Sequence, residues 1–152
     1  MKAVIQRVLR ASVAVNGAVV GSCNHGYMIL LGVAEGDTEE DAALLCKKIA
    51  NLRIFCDEDG KMNRSIKDID GEMLVISQFT LLANYRHGNR PDFLASAKPE
   101  EANRLYETFK TLAATEVRRV EAGIFGAHME VSLVNDGPVT IAMDSEILKK
   151  KK

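Results

Sequence analysis

The sequence predicts a single α+β domain in which a largely antiparallel sheet closes towards a barrel with two helices outside it. Three observations carry that expectation. Apolar and polar residues alternate in short runs separated by turn residues at both ends of the chain, two helical stripes lie between them, and no Pro/Ser-rich linker, repeat or low-complexity tract divides the whole. The size fits, because 152 residues with 47% hydrophobic content make one ordinary core that buries about 70% of the surface of the unfolded chain.

Residues 2–8, 12–15, 18–22 and 27–33 read as a β-meander, with Asn16-Gly17 as a hairpin turn. A helix starts in Asp37-Thr38-Glu39-Glu40, where an N-cap and first-turn acids precede Ala42, Leu45, Cys46 and Ile49 at helical spacing. Residues 53–56 form a short strand ended by Asp57-Glu58-Asp59-Gly60, and 72–78 a fully buried one. The second helix begins at Pro99, with Glu100 and Glu101 suiting its positive end and Ala102, Leu105, Tyr106, Phe109, Leu112 and Ala113 on one face. Residues 117–122 add a strand. Two more, one carrying Met129, Val131 and Leu133 and the other Val139, Ile141 and Met143, meet at Asn135-Asp136-Gly137-Pro138, whose residue preferences describe a turn. Pro138 has no N–H for a ladder, and Gly137 opens backbone angles closed to other residues, so backbone requirements shape this segment.

Composition narrows the function. Lys plus Arg total 20 against 21 Asp plus Glu, a formal charge of −1, so no global positive field draws the chain to nucleic acid and any such contact is local. Residues 149–152 read as a solvated, disordered lysine tail, leaving 1–148 as the domain. No apolar h-region follows a basic start, and no apolar run approaches about 18 residues, which predicts a soluble, unexported, cytoplasmic protein with no membrane partner. Cys23, Cys46 and Cys56 are an odd, widely spaced set without CxxC, fitting reduced thiols that fill apolar space. His25, His87 and His128 lack ligand spacing, and there is neither a GxSxG elbow nor a P-loop, so no metal, ATP or other cofactor is expected.

Ser77-Gln78-Phe79-Thr80-Leu81 follows the apolar run 73–76, placing three polar side chains where a buried strand ends. Thr80 has the right chemistry for a catalytic residue. Its hydroxyl is a feeble nucleophile without a base, however, and no basic partner stands beside it in sequence, so Thr80 is expected to position substrate rather than attack it.

This segment and Asn135-Asp136-Gly137-Pro138-Val139-Thr140 together resemble the recurring SQFTL and NxGPVT segments of the D-aminoacyl-tRNA deacylases. The resemblance covers nearly the whole chain in the family's order. It includes Met1-Lys2-Ala3-Val4-Ile5-Gln6-Arg7-Val8, Ala50-Asn51-Leu52-Arg53-Ile54-Phe55, Gly60-Lys61-Met62-Asn63, Gly88-Asn89-Arg90-Pro91 and Phe125-Gly126-Ala127. It implies the same α+β fold and a homodimeric hydrolase that cleaves the ester of D-aminoacyl-tRNA, releasing tRNA and a D-amino acid in translation quality control. DNA is not expected as a partner. Ser77, Gln78 and Phe79 match the substrate-pocket segment, whose main-chain N–H groups and aromatic ring hold the aminoacyl-adenosine end.

The resemblance also implies that Gly137 and Pro138 form a cis pair inserted into the partner subunit's pocket. There their carbonyls capture the substrate amino group and exclude an L-side chain, so that active sites are shared across the interface. Glycine would pass the same screen, making glycyl-tRNA a second substrate. Arg7 matches an arginine that orients the Gly-Pro pair, and Phe93 and Met129 match pocket-lining positions. One departure is visible: where the family commonly has Lys-Gly-x-Arg-Pro-Ser-Phe, this chain has His87-Gly88-Asn89-Arg90-Pro91-Asp92-Phe93, and Asp92 adds negative charge near the expected path of tRNA phosphates. The missing base also motivates an alternative, a non-catalytic module of the same fold that binds tRNA ends or a nucleotide.

Overall fold

The computed structural model describes residues 1–149. Its spine is β1 (Lys2–Val15), which hydrogen-bonds to three other strands. Its first half pairs antiparallel with β3 (Gly26–Gly32), its second half with β2 (Ala18–Cys23), and its whole length with β8 (Glu130–Asp144). Residues 2–8 and 12–15, expected as two strands, are therefore one. The register shifts near Val8, where Leu9 and Arg10 turn outward, break the alternation that makes a strand legible.

β6 (Glu72–Ser77) runs parallel to β3 on one side and to β7 (Val120–Ala122) on the other, so the sheet is mixed: two parallel pairings join three antiparallel ones. Both faces of β3 and β6 are covered, which explains their unbroken apolar runs. Tyr27, Ile29, Leu31, Met73 and Val75 face the helices, while Met28, Leu74 and Ile76 face a second core with Val8, Ala11, Val13 and Cys23. The sheet curls so that β2 returns to β7. A Cβ on Gly21 would collide with the Ala122 carbonyl, and the Ser22 N–H donates to Glu121 Oε1 at 2.9 Å.

Helix α1 (Glu39–Asn51) buries the expected Ala42, Leu45, Cys46 and Ile49. Helix α2 (Pro99–Glu116) buries Ala102, Leu105, Tyr106, Phe109 and Ala113, and its Tyr106 hydroxyl donates to the Val75 carbonyl at 2.8 Å. Burial pushes the Cys23 and Cys46 thiols up to about 11, the value of inert fillers, whereas Cys56, expected to fill apolar space with them, is exposed. At Glu72, which is fully buried, the Asn24 N–H (2.8 Å), Arg118 (2.6 Å) and Arg119 (3.3 Å) satisfy the carboxylate and tie three connections together. The strand expected at 53–56 is β4 (Phe55–Cys56), paired with β5 (Met62–Arg64) around the acidic turn.

Three further expectations need correction. A third helix, α3 (Ser145–Lys149), follows β8 and joins the two outer ones. Lys149, expected in a free tail, ends that helix and sits 2.7 Å from the buried Asp41 carboxylate; residues 150–152 lie outside the described residues. The Asn135-Asp136-Gly137-Pro138 segment is not a turn between two strands. β8 runs straight through it, paired to β1 at Asn135↔Val8 and again at Thr140↔Gln6, so that residues 136–139 bulge opposite Arg7 alone. Pro138 has no ladder bond to lose there.

Candidate active site

At one end of the sheet β3 and β6 finish together, Leu31 opposite Ser77, and the Gln78 N–H still bonds to the Leu31 carbonyl at 2.8 Å. The chain then tightens into a 3-10 turn, Phe79–Leu82. Gly32 permits this, since a Cβ there would lie 2.7 Å from Leu82 Cδ2 and 2.9 Å from the Gln78 carbonyl. The turn exposes both Phe79 and Thr80. Gln78 Nε2 donates to Thr80 Oγ1 at 2.6 Å, its only side-chain partner among the described residues, so the hydroxyl proton is free for a ligand and no base is placed to remove it. The N–H groups of Phe79 and Thr80, opening the turn, have no acceptor among the described residues.

Beside the turn lies a cavity of about 620 Å³ whose walls include Ser77, Phe79, Phe93, Ala97, Phe125 and Met129. Phe79 and Phe93 meet edge to face with ring centroids 5.0 Å apart. Gln78 and Thr80 adjoin this cavity through the turn but are not among its lining residues. Glu35 and Lys98 also line it, and neither carries a sequence signal beyond sitting in a connection before a helix. Phe125 lies in a segment the family resemblance marks, yet no residue pattern singles it out for the pocket.

Arg7, Gly137 and Pro138 stand elsewhere. Arg7 is buried, and its guanidinium holds the bulge from within. Nε donates to the Asp136 carbonyl at 3.0 Å and lies 3.4 Å from Asp136 Oδ2, while Nη1 donates to the Ile54 carbonyl at 2.6 Å. Its Cζ sits 6.0 Å from the Phe55 ring centroid. The Gly137-Pro138 peptide is cis, both residues are exposed, and Gly137 has φ +131, with a would-be Cβ 3.0 Å from Arg7 Nη2. Arg7 pairs with Tyr27, four residues along β3 from Leu31, which places the bulge about 13 Å from the pocket along the strand. Within one chain, then, the structure joins Ser77, Phe79, Phe93 and Met129 in one cavity, and Gly137, Pro138 and Arg7 in a separate cluster.

Among the described residues no three His, Cys, Asp or Glu side chains converge as a metal site, and no helix is long and apolar enough to cross a membrane. Asp92 is engaged locally, its carboxylate accepting the Leu94 N–H at 3.2 Å.

Comparison with known proteins places this architecture. A D-aminoacyl-tRNA deacylase of Caldicellulosiruptor saccharolyticus is 58% identical over 146 residues, covering 96% of this chain and 98% of that one. One from Thermus aquaticus is 54% identical, covering 95% of each. Among solved structures, one titled c-Myc DNA Unwinding Element Binding Protein superposes with a TM-score of 0.90 at 41% identity, covering 95% of this chain and 98% of that one. Another, a probable eukaryotic D-amino acid tRNA deacylase, shares the fold with a TM-score of 0.78 at 15% identity, covering 93% of this chain and 97% of that one. Residues 4–144 match the family model described as D-Tyr-tRNA(Tyr) deacylase, and with relatives this similar over nearly its full length the chain belongs to that family of hydrolases.

Proposed function

We propose that the protein hydrolyses the ester of D-aminoacyl-tRNA, and glycyl-tRNA with it, as a chiral proofreading step in the cytoplasm. The observation that carries this reading is the corner at residues 78–80, where two N–H groups and a hydroxyl, without acceptor or base among the described residues, stand beside an apolar cavity. An aminoacyl ester is already activated, so oriented water and donors for the developing oxyanion suffice. Water adds to the ester carbonyl and the bond from that carbon to the ribose oxygen breaks. The products are a D-amino acid and a free tRNA hydroxyl, with one proton passed to solvent.

Thr80, with Gln78 bonded to its oxygen, positions the substrate, and Ser77, Phe79, Phe93 and Met129 hold the aminoacyl-adenosine end. Gly137 and Pro138 supply the chiral screen from the partner subunit, oriented by Arg7. The separation of about 13 Å within one chain supports that arrangement, since a two-fold dimer can bring the bulge of one copy to the pocket of the other. Purified protein is expected to deacylate D-tyrosyl-tRNA and glycyl-tRNA while leaving L-tyrosyl-tRNA intact. Light scattering is expected to report twice the 16.7 kDa chain mass. Equal cleavage of the D- and L-forms would exclude the screen, and a fully active monomer would exclude the shared site.

The alternative, a non-catalytic module that binds tRNA ends or a nucleotide, is favoured by the absence of a base at Thr80. Failure to accelerate hydrolysis of D-tyrosyl-tRNA would select it.

A further inference from the structure

The loop rising beside the pocket carries chemistry that the proposed reaction does not use. Asn84 and Asp92 exchange both backbone hydrogen bonds, 2.8 and 2.9 Å, closing a loop whose base is directly followed by Phe93 of the pocket wall. Inside, the Arg86 N–H bonds to Asn84 Oδ1 at 3.1 Å, and Gly88 turns the chain at φ +68. The loop is thus built rather than loose, yet it presents Tyr85 81% exposed.

Arg86 and Arg90 are exposed and make no side-chain hydrogen bond or ion pair among the described residues. Lys98, which lines the cavity, is likewise exposed and unpaired. Arg64, Arg104, Arg118 and Arg119 each meet a carboxylate, whereas Arg10 on β1 is unpaired like the loop arginines but has no exposed aromatic ring beside it in sequence. The loop's own acid, Asp92, accepts a main-chain N–H and pairs with neither arginine. In a chain of net charge −1, an exposed ring on a loop with two unneutralised arginines, leading into a pocket wall that carries a third such cation, matches a polyanion that carries flat bases.

We infer that residues 85–90 and Lys98 form a platform for the unpaired 3′ end of the tRNA, with a base stacked on Tyr85 and phosphates lying against Arg86, Arg90 and Lys98. The inference rests on the deacylase reading and says how that site tells a tRNA from a bare aminoacyl nucleoside. Stacking on an aromatic ring does not depend on which base is present, whereas each phosphate contact makes affinity depend on salt.

The test compares two substrates, D-tyrosyl-tRNA and 3′-O-D-tyrosyl-adenosine, which ends before the platform. Y85A is expected to lower kcat/KM for the tRNA about tenfold or more, through KM, and to leave the nucleoside ester within about twofold. Y85F is expected to restore the tRNA value. The double variant R86Q/R90Q is expected to flatten the slope of log kcat/KM against log salt by about 1.4, from about 0.7 per phosphate contact on a single strand. Equal losses on both substrates, or none on the tRNA, would overturn the platform. If wild-type protein cleaves neither substrate, the deacylase reading fails by itself. Binding of uncharged tRNA then decides the platform, which stands if Y85A weakens that binding and falls if it does not.

Discussion

The two ends of the central strands are furnished in opposite ways. At the 3-10 turn, side chains do the presenting: Phe79 and Thr80 are exposed, and a single side-chain bond from Gln78 steadies the hydroxyl. At the bulge, main chain is presented, and a buried guanidinium fixes it through the carbonyls of Asp136 and Ile54. One end tolerates adjustment while the other is over-determined. The proposed chiral screen, which would admit many side chains and reject one configuration, calls for both, an adaptable wall and a rigid edge.

Removing the rigidity is expected to have the largest effect. Arg7→Ala leaves two inward-facing carbonyls without donors and empties a charged site, so activity on D-tyrosyl-tRNA should fall by about 100-fold or more and stability by about 3 kcal/mol. Arg7→Lys should rescue little, because a single ammonium cannot serve Ile54 and Asp136 with fork geometry. Steady-state kinetics together with urea unfolding check both. Near-normal activity in Arg7→Ala would erase the contrast between the two ends.

Asp41 offers a control that bonds to neither, its carboxylate being held by Thr38, Ser145 and Lys149. Burial alone would raise its carboxyl, but bonds from Lys149, Ser145 Oγ at 2.6 Å and the Thr38 N–H at 2.8 Å prevail and hold it at about 2, down from 3.8. A depressed carboxylate contributes stability above its unfolded value that is lost as pH falls from about 4 towards 2. Asp41→Asn is therefore expected to cost about 2 kcal/mol at pH 7, with the difference from wild type shrinking below pH 3 and kcat/KM unchanged at 25 °C. A variant that lost activity in step with stability would show that the ends are not independent of the fold's overall rigidity.

The smallest effect is expected at the adaptable end. Thr80→Ala removes a hydroxyl that has no base, so a loss of about tenfold is expected, with Thr80→Ser close to wild type. A loss of several orders of magnitude, or an acyl-enzyme trapped on Thr80, would make it a nucleophile and reverse the assignment.

What the sequence discloses follows from the range of each interaction. The stripes of α1 and α2 and the run of β6 are local patterns, and they stand where the spacing predicts them. β8 is misread because Asn-Asp-Gly-Pro is judged against its neighbours, whereas its strand character comes from Val8 and Gln6 of β1, more than a hundred residues away. Lys149 is misread for the same reason, its partner Asp41 belonging to another helix. At five residues α3 is too short for periodicity to register. In the candidate site, Thr80 is legible from its chemistry and its place at a strand end, and the other proposed members come through the family resemblance. The fork from Arg7 to Ile54 and Asp136 joins three distant segments, and no spacing encodes it.

The pairing of β1 with β8 along nearly its whole length also sets the order in which the protein can be completed during synthesis. β1 ends at Val15 and β8 begins at Glu130, so roughly 115 residues must leave the ribosome after β1 before its partner exists. At about 5–20 residues per second that is roughly 6–23 s in which one edge of the central strand stands uncovered. Closure then falls to the last strand, when the Ser145 N–H meets the Met1 carbonyl at 2.9 Å. A nascent chain stalled before residue 130 would hold β2, β3 and both long helices and still offer a bare strand to its neighbours on the polysome.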